Sequence, residues 1–96
     1  MKPSTAYLQH RDAIRLIVAR HNATNPRVFG SVLHGQDTDG SDLDLLIDIT
    51  EETSLFDVGE IRTELTELLG IEVDVLTPGA LPDRWKMDVL KEARAV

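Results

Sequence analysis

The stretch Asp42-Leu43-Asp44-Leu45-Leu46-Ile47-Asp48-Ile49 constrains this chain more than any other. It follows the dense turn signal Asp37-Thr38-Asp39-Gly40-Ser41 and is the clearest strand in the sequence. Extended backbone alternates its side chains, so Asp42 and Asp44 project to one side while Leu43, Leu45 and Ile47 enter a core. With 96 residues in all, the chain is expected to form one compact domain over residues 1–96, and that core must be assembled within it.

Apolar spacing supplies the remaining elements. Ala13, Ile14, Ile17 and Val18 form one face of an amphipathic helix from about Thr5 to His21, with Asn22 suited to its C-terminal cap. Asn25-Pro26 calls for extended backbone, and Arg27-Val28-Phe29 reads as a short strand stopping at Gly30-Ser31. Ser31 to Gln36 is expected to make one or two helical turns. Ser54 with Asp57 makes a capping-box-like start ahead of Leu55, Val58, Ile61, Leu65 and Leu68, and Gly70 is expected to close that helix in a left-handed conformation. Ile71 to Leu76 alternates apolar and acidic residues as a half-buried strand. After Thr77-Pro78-Gly79, Pro82 can open a last helix ending near Arg94. The sum is an α/β fold, a small mixed sheet of about three strands flanked by about four helices.

Composition narrows the function classes. Seventeen acidic side chains against ten basic ones give a net charge of −7, which repels phosphate backbones and argues against direct nucleic-acid binding. Handling a phosphorylated substrate therefore requires an intervening cation. Cysteine is absent, which removes thiolate catalysis, thiolate metal sites and disulfides. No apolar run reaches the ~20 residues of a membrane span, and Met1 to Ala6 lacks the apolar core of a signal peptide, so a cytoplasmic location is expected.

Three features carry chemistry. Asp42 and Asp44 on one strand face repel each other and raise each other's proton affinity, an arrangement most easily tolerated around a cation. Oxygen-only ligands favour Mg²⁺ or Mn²⁺. A solvated strand face is the bland alternative. Gly30-Ser31, after a strand and at the start of a short helix, offers free amides and a hydroxyl to an anion, or simply a turn glycine with a serine cap. Asp74 sits in a strand in phase with Glu72, and it completes a three-carboxylate cluster if that strand neighbours Asp42–Ile49.

Together these residues spell G-S-x10-D-x-D, from Gly30-Ser31 to Asp42-Leu43-Asp44, with the later strand acid Asp74. The pattern resembles the nucleotidyltransferase superfamily of the DNA polymerase beta type. It looks most like the minimal nucleotidyltransferases, antitoxins of HEPN–MNT toxin–antitoxin pairs. Phe29-Gly30-Ser31, Ser41-Asp42-Leu43-Asp44-Leu45-Leu46 and Val73-Asp74-Val75-Leu76-Thr77-Pro78 carry the likeness. The resemblance implies Asp42, Asp44 and Asp74 as catalytic residues and ligands of two Mg²⁺ ions, Asp74 also helping to deprotonate the acceptor hydroxyl. It implies Gly30, Ser31, His34 and Ser41 at the nucleotide, with ATP as co-substrate. Minimal members often carry Arg where His34 stands, and a neutral histidine holds phosphate less strongly than a guanidinium.

The implied reaction is AMP transfer to a tyrosine of a cognate HEPN ribonuclease toxin, in a hetero-complex, as in a type VII toxin–antitoxin pair. The alternatives are a binding-only antitoxin and, with less support because no acceptor domain is present, a small-molecule enzyme of the aminoglycoside type. An EF-hand starting at Asp37 fails, since its sixth position is Asp42 rather than Gly. Glu60, Glu64 and Glu67 read as a solvated stripe. His10 and His21 read as surface or packing residues without carboxylate partners at metal spacing. Trp85, Met87 and Leu90 read as core or partner contact, and Arg84, Lys86, Lys91 and Arg94 as solvated positive charge.

Overall fold

The computed structural model describes residues 1–96. Its elements run α1 (Pro3–Gln9), α2 (Arg11–Arg20), β1 (Ala23–Phe29), β2 (Leu43–Ile49), α3 (Leu55–Leu69), β3 (Val73–Leu76), α4 (Asp83–Glu92) and β4 (Arg94–Ala95), with 3₁₀ turns at Gly30–Val32 and Pro78–Ala80. The sheet order is β3-β2-β1-β4; β1 is antiparallel to both β2 and β4, and β2 is parallel to β3.

The sheet thus has four strands, not three. The additional strand is a two-residue edge beside Arg27 and Val28, reached once α4 stops at Glu92. Val96 then buries its side chain in the main core and donates its amide to Pro26 O at 3.0 Å. Only this long-range pairing defines the strand, and the local sequence carries no strand period.

β2 lies between two apolar layers. Leu43, Leu45 and Ile47 are buried with Ile14, Val18, Ile61, Leu65 and Val73 under the helices α2 and α3. Leu46 faces the opposite side, packed with Phe29 and Leu81 against Val89 and Ala93. The middle of β2 is therefore apolar on both faces. Asp44 shares the α4 side with Leu46, because the two positions are in phase.

The expected first helix divides at His10 into α1 and α2. Lys2 provides no side-chain cap to α1. Instead Ser4 N donates to Asp37 Oδ2 at 2.8 Å, so a residue 33 positions away fixes the start of α1. Asn22 takes φ +63° directly after the α2 cap, as expected of a helix-ending asparagine. Asn25 is not extended: its φ is +53°, and the β1–β2 register shifts between Thr24 and Arg27. The Asn-Pro pair makes a bulge, and β1 starts four residues earlier than the apolar pattern indicates. The Ser54–Asp57 capping box and the left-handed Gly70 (φ +68°) are both present. Pro82 is the N-cap of α4 rather than its first helical residue. Trp85, Met87 and Leu90 are all exposed, which removes the core reading for them.

Candidate active site

The site grows from the N-terminal end of β2. Parallel pairing sets Asp44 beside Asp74, with Leu43 opposite Val73 and Leu45 opposite Val75. In-register parallel neighbours point to the same side, so the two carboxylates face each other's flank. Leu43 N donates to Glu72 O at 2.9 Å and locks the ladder at this end. On the other flank Asp44 pairs with Phe29, the last residue of β1. Asp42 precedes the strand and is exposed, while Asp44 and Asp74 are half-buried.

Phe29 leads into Gly30, whose φ of +78° lies in the left-handed region. A Cβ built there would lie 2.4 Å from Asp44 Oδ2. Glycine is thus required twice, for its backbone angle and for the approach of backbone to carboxylate. The segment after it is one 3₁₀ turn: Leu33 N bonds Gly30 O at 3.0 Å and His34 N bonds Ser31 O at 3.2 Å. Three residues carry little macrodipole, so any anion affinity here comes from local amides and the Ser31 hydroxyl.

Asp44 titrates well above an ordinary carboxyl. Burial, then Asp74, then Asp42 push it from 3.8 to about 6. Each of those causes disfavours the anion, and a nearby divalent cation reverses the effect of the two like charges. The donors are carboxylate oxygens alone, which suits a hard ion of the Mg²⁺ or Mn²⁺ class.

The other expected residues are placed as follows. Ser41 Oγ accepts from Thr38 N at 2.8 Å, closing the turn that delivers Asp42. His34 is exposed, with Nε2 3.3 Å from Glu92 Oε2 at the end of α4. Asp37, whose only sequence signal was membership of a turn, is covered but shallow, and the Ser4 amide holds its carboxyl below the usual range.

His21 corrects an expectation. Its Nδ1 lies 3.1 Å from Glu60 Oε2 and 3.9 Å from Asp57 Oδ1, and its Nε2 bonds Glu64 Oε2. Glu64 also pairs with Arg20, so the acidic stripe on α3 is only partly solvated. The spacing of Asp57, Glu60 and Glu64 along one helix face was visible in the sequence. Their encounter with the end of α2 depends on tertiary packing.

Comparison with known proteins identifies the fold and family. A family model described as a nucleotidyltransferase domain matches residues 12–96. A Methanocaldococcus jannaschii protein that carries the provisional name protein adenylyltransferase is 36% identical over 77 residues, 80% of this chain and 83% of the relative. The Thermococcus cleftensis protein adenylyltransferase MntA is 37% identical over 65 residues, 68% of this chain and 66% of the relative. A solved structure provisionally described as a minimal nucleotidyltransferase superposes with a TM-score of 0.87 at 38% identity, covering 100% of this chain and 97% of the other. A toxin–antitoxin crystal structure with AMP-PNP shares the fold, with a TM-score of 0.72 at 16% identity over 88% of this chain and 69% of the other. On the family match and the identity of these relatives, the chain belongs to the nucleotidyltransferase domain family and is a transferase of the nucleotidyl-transferring type.

Proposed function

We propose that this protein is a Mg²⁺-dependent protein adenylyltransferase that moves AMP from ATP to a tyrosine hydroxyl of a HEPN ribonuclease toxin and serves as its antitoxin. The observation that carries the reading is the meeting of Asp42, Asp44 and Asp74 beside Gly30-Ser31. The protein-adenylyltransferase names of the relatives support a protein acceptor, and the fold shared with a toxin–antitoxin structure bound to AMP-PNP suggests the class of partner.

Asp42, Asp44 and Asp74 would hold two divalent ions, which supply the positive charge that lets a triphosphate approach three carboxylates. Gly30 N–H and the Ser31 hydroxyl would hold the β- and γ-phosphates and align pyrophosphate as the leaving group. His34 and Ser41 would border the nucleotide, Ser41 by fixing the turn before Asp42. Asp74 would take the proton of the acceptor hydroxyl as that oxygen bonds to the α-phosphorus and the bond to pyrophosphate breaks. The products are a tyrosyl-AMP ester and pyrophosphate.

The test incubates the protein with its toxin, ATP and Mg²⁺ and weighs the toxin by mass spectrometry. AMP-sized additions, lost with Asp42→Asn or Asp44→Asn, are the expected result. A second reading, neutralisation by binding alone, is favoured by the exposure of Leu55 (90%) and Phe56 (83%) on the first turn of α3. Full neutralisation with unchanged toxin mass would select it.

A further inference from the structure

A second group of ligating side chains lies at the other end of the sheet. His21 closes α2, and Asp57 and Glu60 occupy the first turns of α3. The adjoining strands pair there as Ala23 with Ile49, whereas Asp44 is five residues back along β2, roughly 17 Å at 3.3 Å per residue. The group is therefore separate from the Asp42–Asp44–Asp74 site.

We propose that His21 Nδ1, Asp57 Oδ1 and Glu60 Oε2 form a binding site for a divalent transition-metal ion of the zinc class. One atom from each residue lies within 4.8 Å of the others. Tetrahedral ligands at about 2.1 Å from a zinc ion sit about 3.4 Å apart, so small side-chain rotations close the site. His21 and Asp57 are mostly covered, at 14% and 18% side-chain exposure, and Glu60 at 62% is the open edge through which an ion enters.

The surroundings match what such a site needs. Glu64 Oε2 engages His21 Nε2, which fixes the tautomer that presents the Nδ1 lone pair to Asp57 and Glu60. Arg20 in turn holds Glu64. Asp57 Oδ2 accepts the Ser54 amide at 2.9 Å, so the capping box orients the carboxyl and leaves Oδ1 toward the histidine. The charges also balance: Arg20 offsets Glu64, and the two remaining carboxylates match one divalent ion bound to neutral imidazole. A nitrogen donor with two carboxylates selects the zinc class over Mg²⁺, which prefers oxygen and water. The bound ion would link the end of α2 to the start of α3.

The experiment titrates the metal-free full chain with Zn²⁺ by calorimetry, and with Co²⁺ by visible absorption. With the proposed catalytic ligands removed by Asp42→Asn and Asp44→Asn, one ion per chain, a tetrahedral Co²⁺ spectrum and a melting temperature raised by several degrees are expected. Glu60→Gln, on an exposed position that folding does not need, should weaken Zn²⁺ binding at least tenfold, and His21→Gln should weaken it further. Binding should survive Asp42→Asn combined with Asp44→Asn, which separates this site from the proposed catalytic one. Absence of Zn²⁺ binding, or binding unchanged by Glu60→Gln and His21→Gln, overturns the assignment and leaves His21 as a hydrogen-bonding partner of α3.

Discussion

Gly30 and Asp44 meet so closely that only hydrogen fits between them, a Cβ on Gly30 lying 2.4 Å from Asp44 Oδ2. The contact ties the backbone at the end of β1 to a carboxylate of β2, and it gives the Gly-Ser pair a steric reason. The atom in the way ends a side chain that can rotate, so Gly30→Ala should fold, with the Asp44 carboxylate displaced. The backbone at φ +78° costs an alanine about 1 kcal/mol. Gly35 supplies the control: its φ is +65°, yet a Cβ there meets nothing within 4 Å. Both alanine variants should lose similar stability by thermal melting. Only Gly30→Ala should lose the proposed adenylyl transfer, by tenfold or more; equal activity in the two would show that the close approach has no catalytic consequence.

Asp44 and its acidic neighbours predict a stability cost. The native group titrates near 6 and an unfolded aspartate near 3.8, so between those values the native state binds more protons. Stability without metal therefore falls as pH rises through 4 to 6. The full difference is at most about 3 kcal/mol, and solvent screening of this half-exposed group reduces it to about 1 kcal/mol. In chelator at pH 7, Asp44→Asn should melt above the wild type, and the gap should close as pH falls toward 4. A variant that melts below the wild type at pH 7 would contradict this account.

Asp37 behaves in the opposite sense. The Ser4 amide favours its ionised form, so its contribution is present above about 3.8 and is lost as pH falls through the lower native value. Asp37→Ala should cost about 1 kcal/mol at pH 7, the usual value of a helix cap. Asp37→Asn, which keeps an acceptor oxygen, should cost less. Amide hydrogen exchange provides the local readout, with the first turn of α1 losing protection in Asp37→Ala.

The contrast between Asp44 and Asp37 shows what the sequence could reveal. Alternation through Asp42–Ile49, the Ser54–Asp57 box and Gly70 are local signals, and the structure follows them closely. The neighbourhood of Asp44 and Asp74 was legible as a condition, since two strands of matching phase needed only to pair in parallel. Asp37 capping α1, Val96 drawing β4 onto β1 and His21 meeting α3 each join residues more than 30 positions apart. No local period encodes such contacts. The bulge at Asn25-Pro26 escapes the sequence for another reason: a following proline disfavours only the right-handed helical region, and asparagine has the left-handed region open to it as well as extended backbone.

His34 stands where the resemblance to minimal nucleotidyltransferases implies an arginine, and it lies 3.3 Å from Glu92 on α4. Both side chains are about half exposed, so their pairing contributes little to stability, within about 1 kcal/mol. A structural role alone therefore predicts that His34→Ala changes neither melting nor kinetics appreciably. A phosphate-facing role predicts an unchanged melting temperature with a raised KM for ATP. It also predicts that His34→Arg lowers that KM, because a fixed guanidinium holds phosphate through paired donors at any pH near neutrality. The expected outcome is the second pattern. Equal KM values for wild type, His34→Ala and His34→Arg would assign His34 to the Glu92 contact alone, and would leave the proposed phosphate contacts to Gly30 and Ser31.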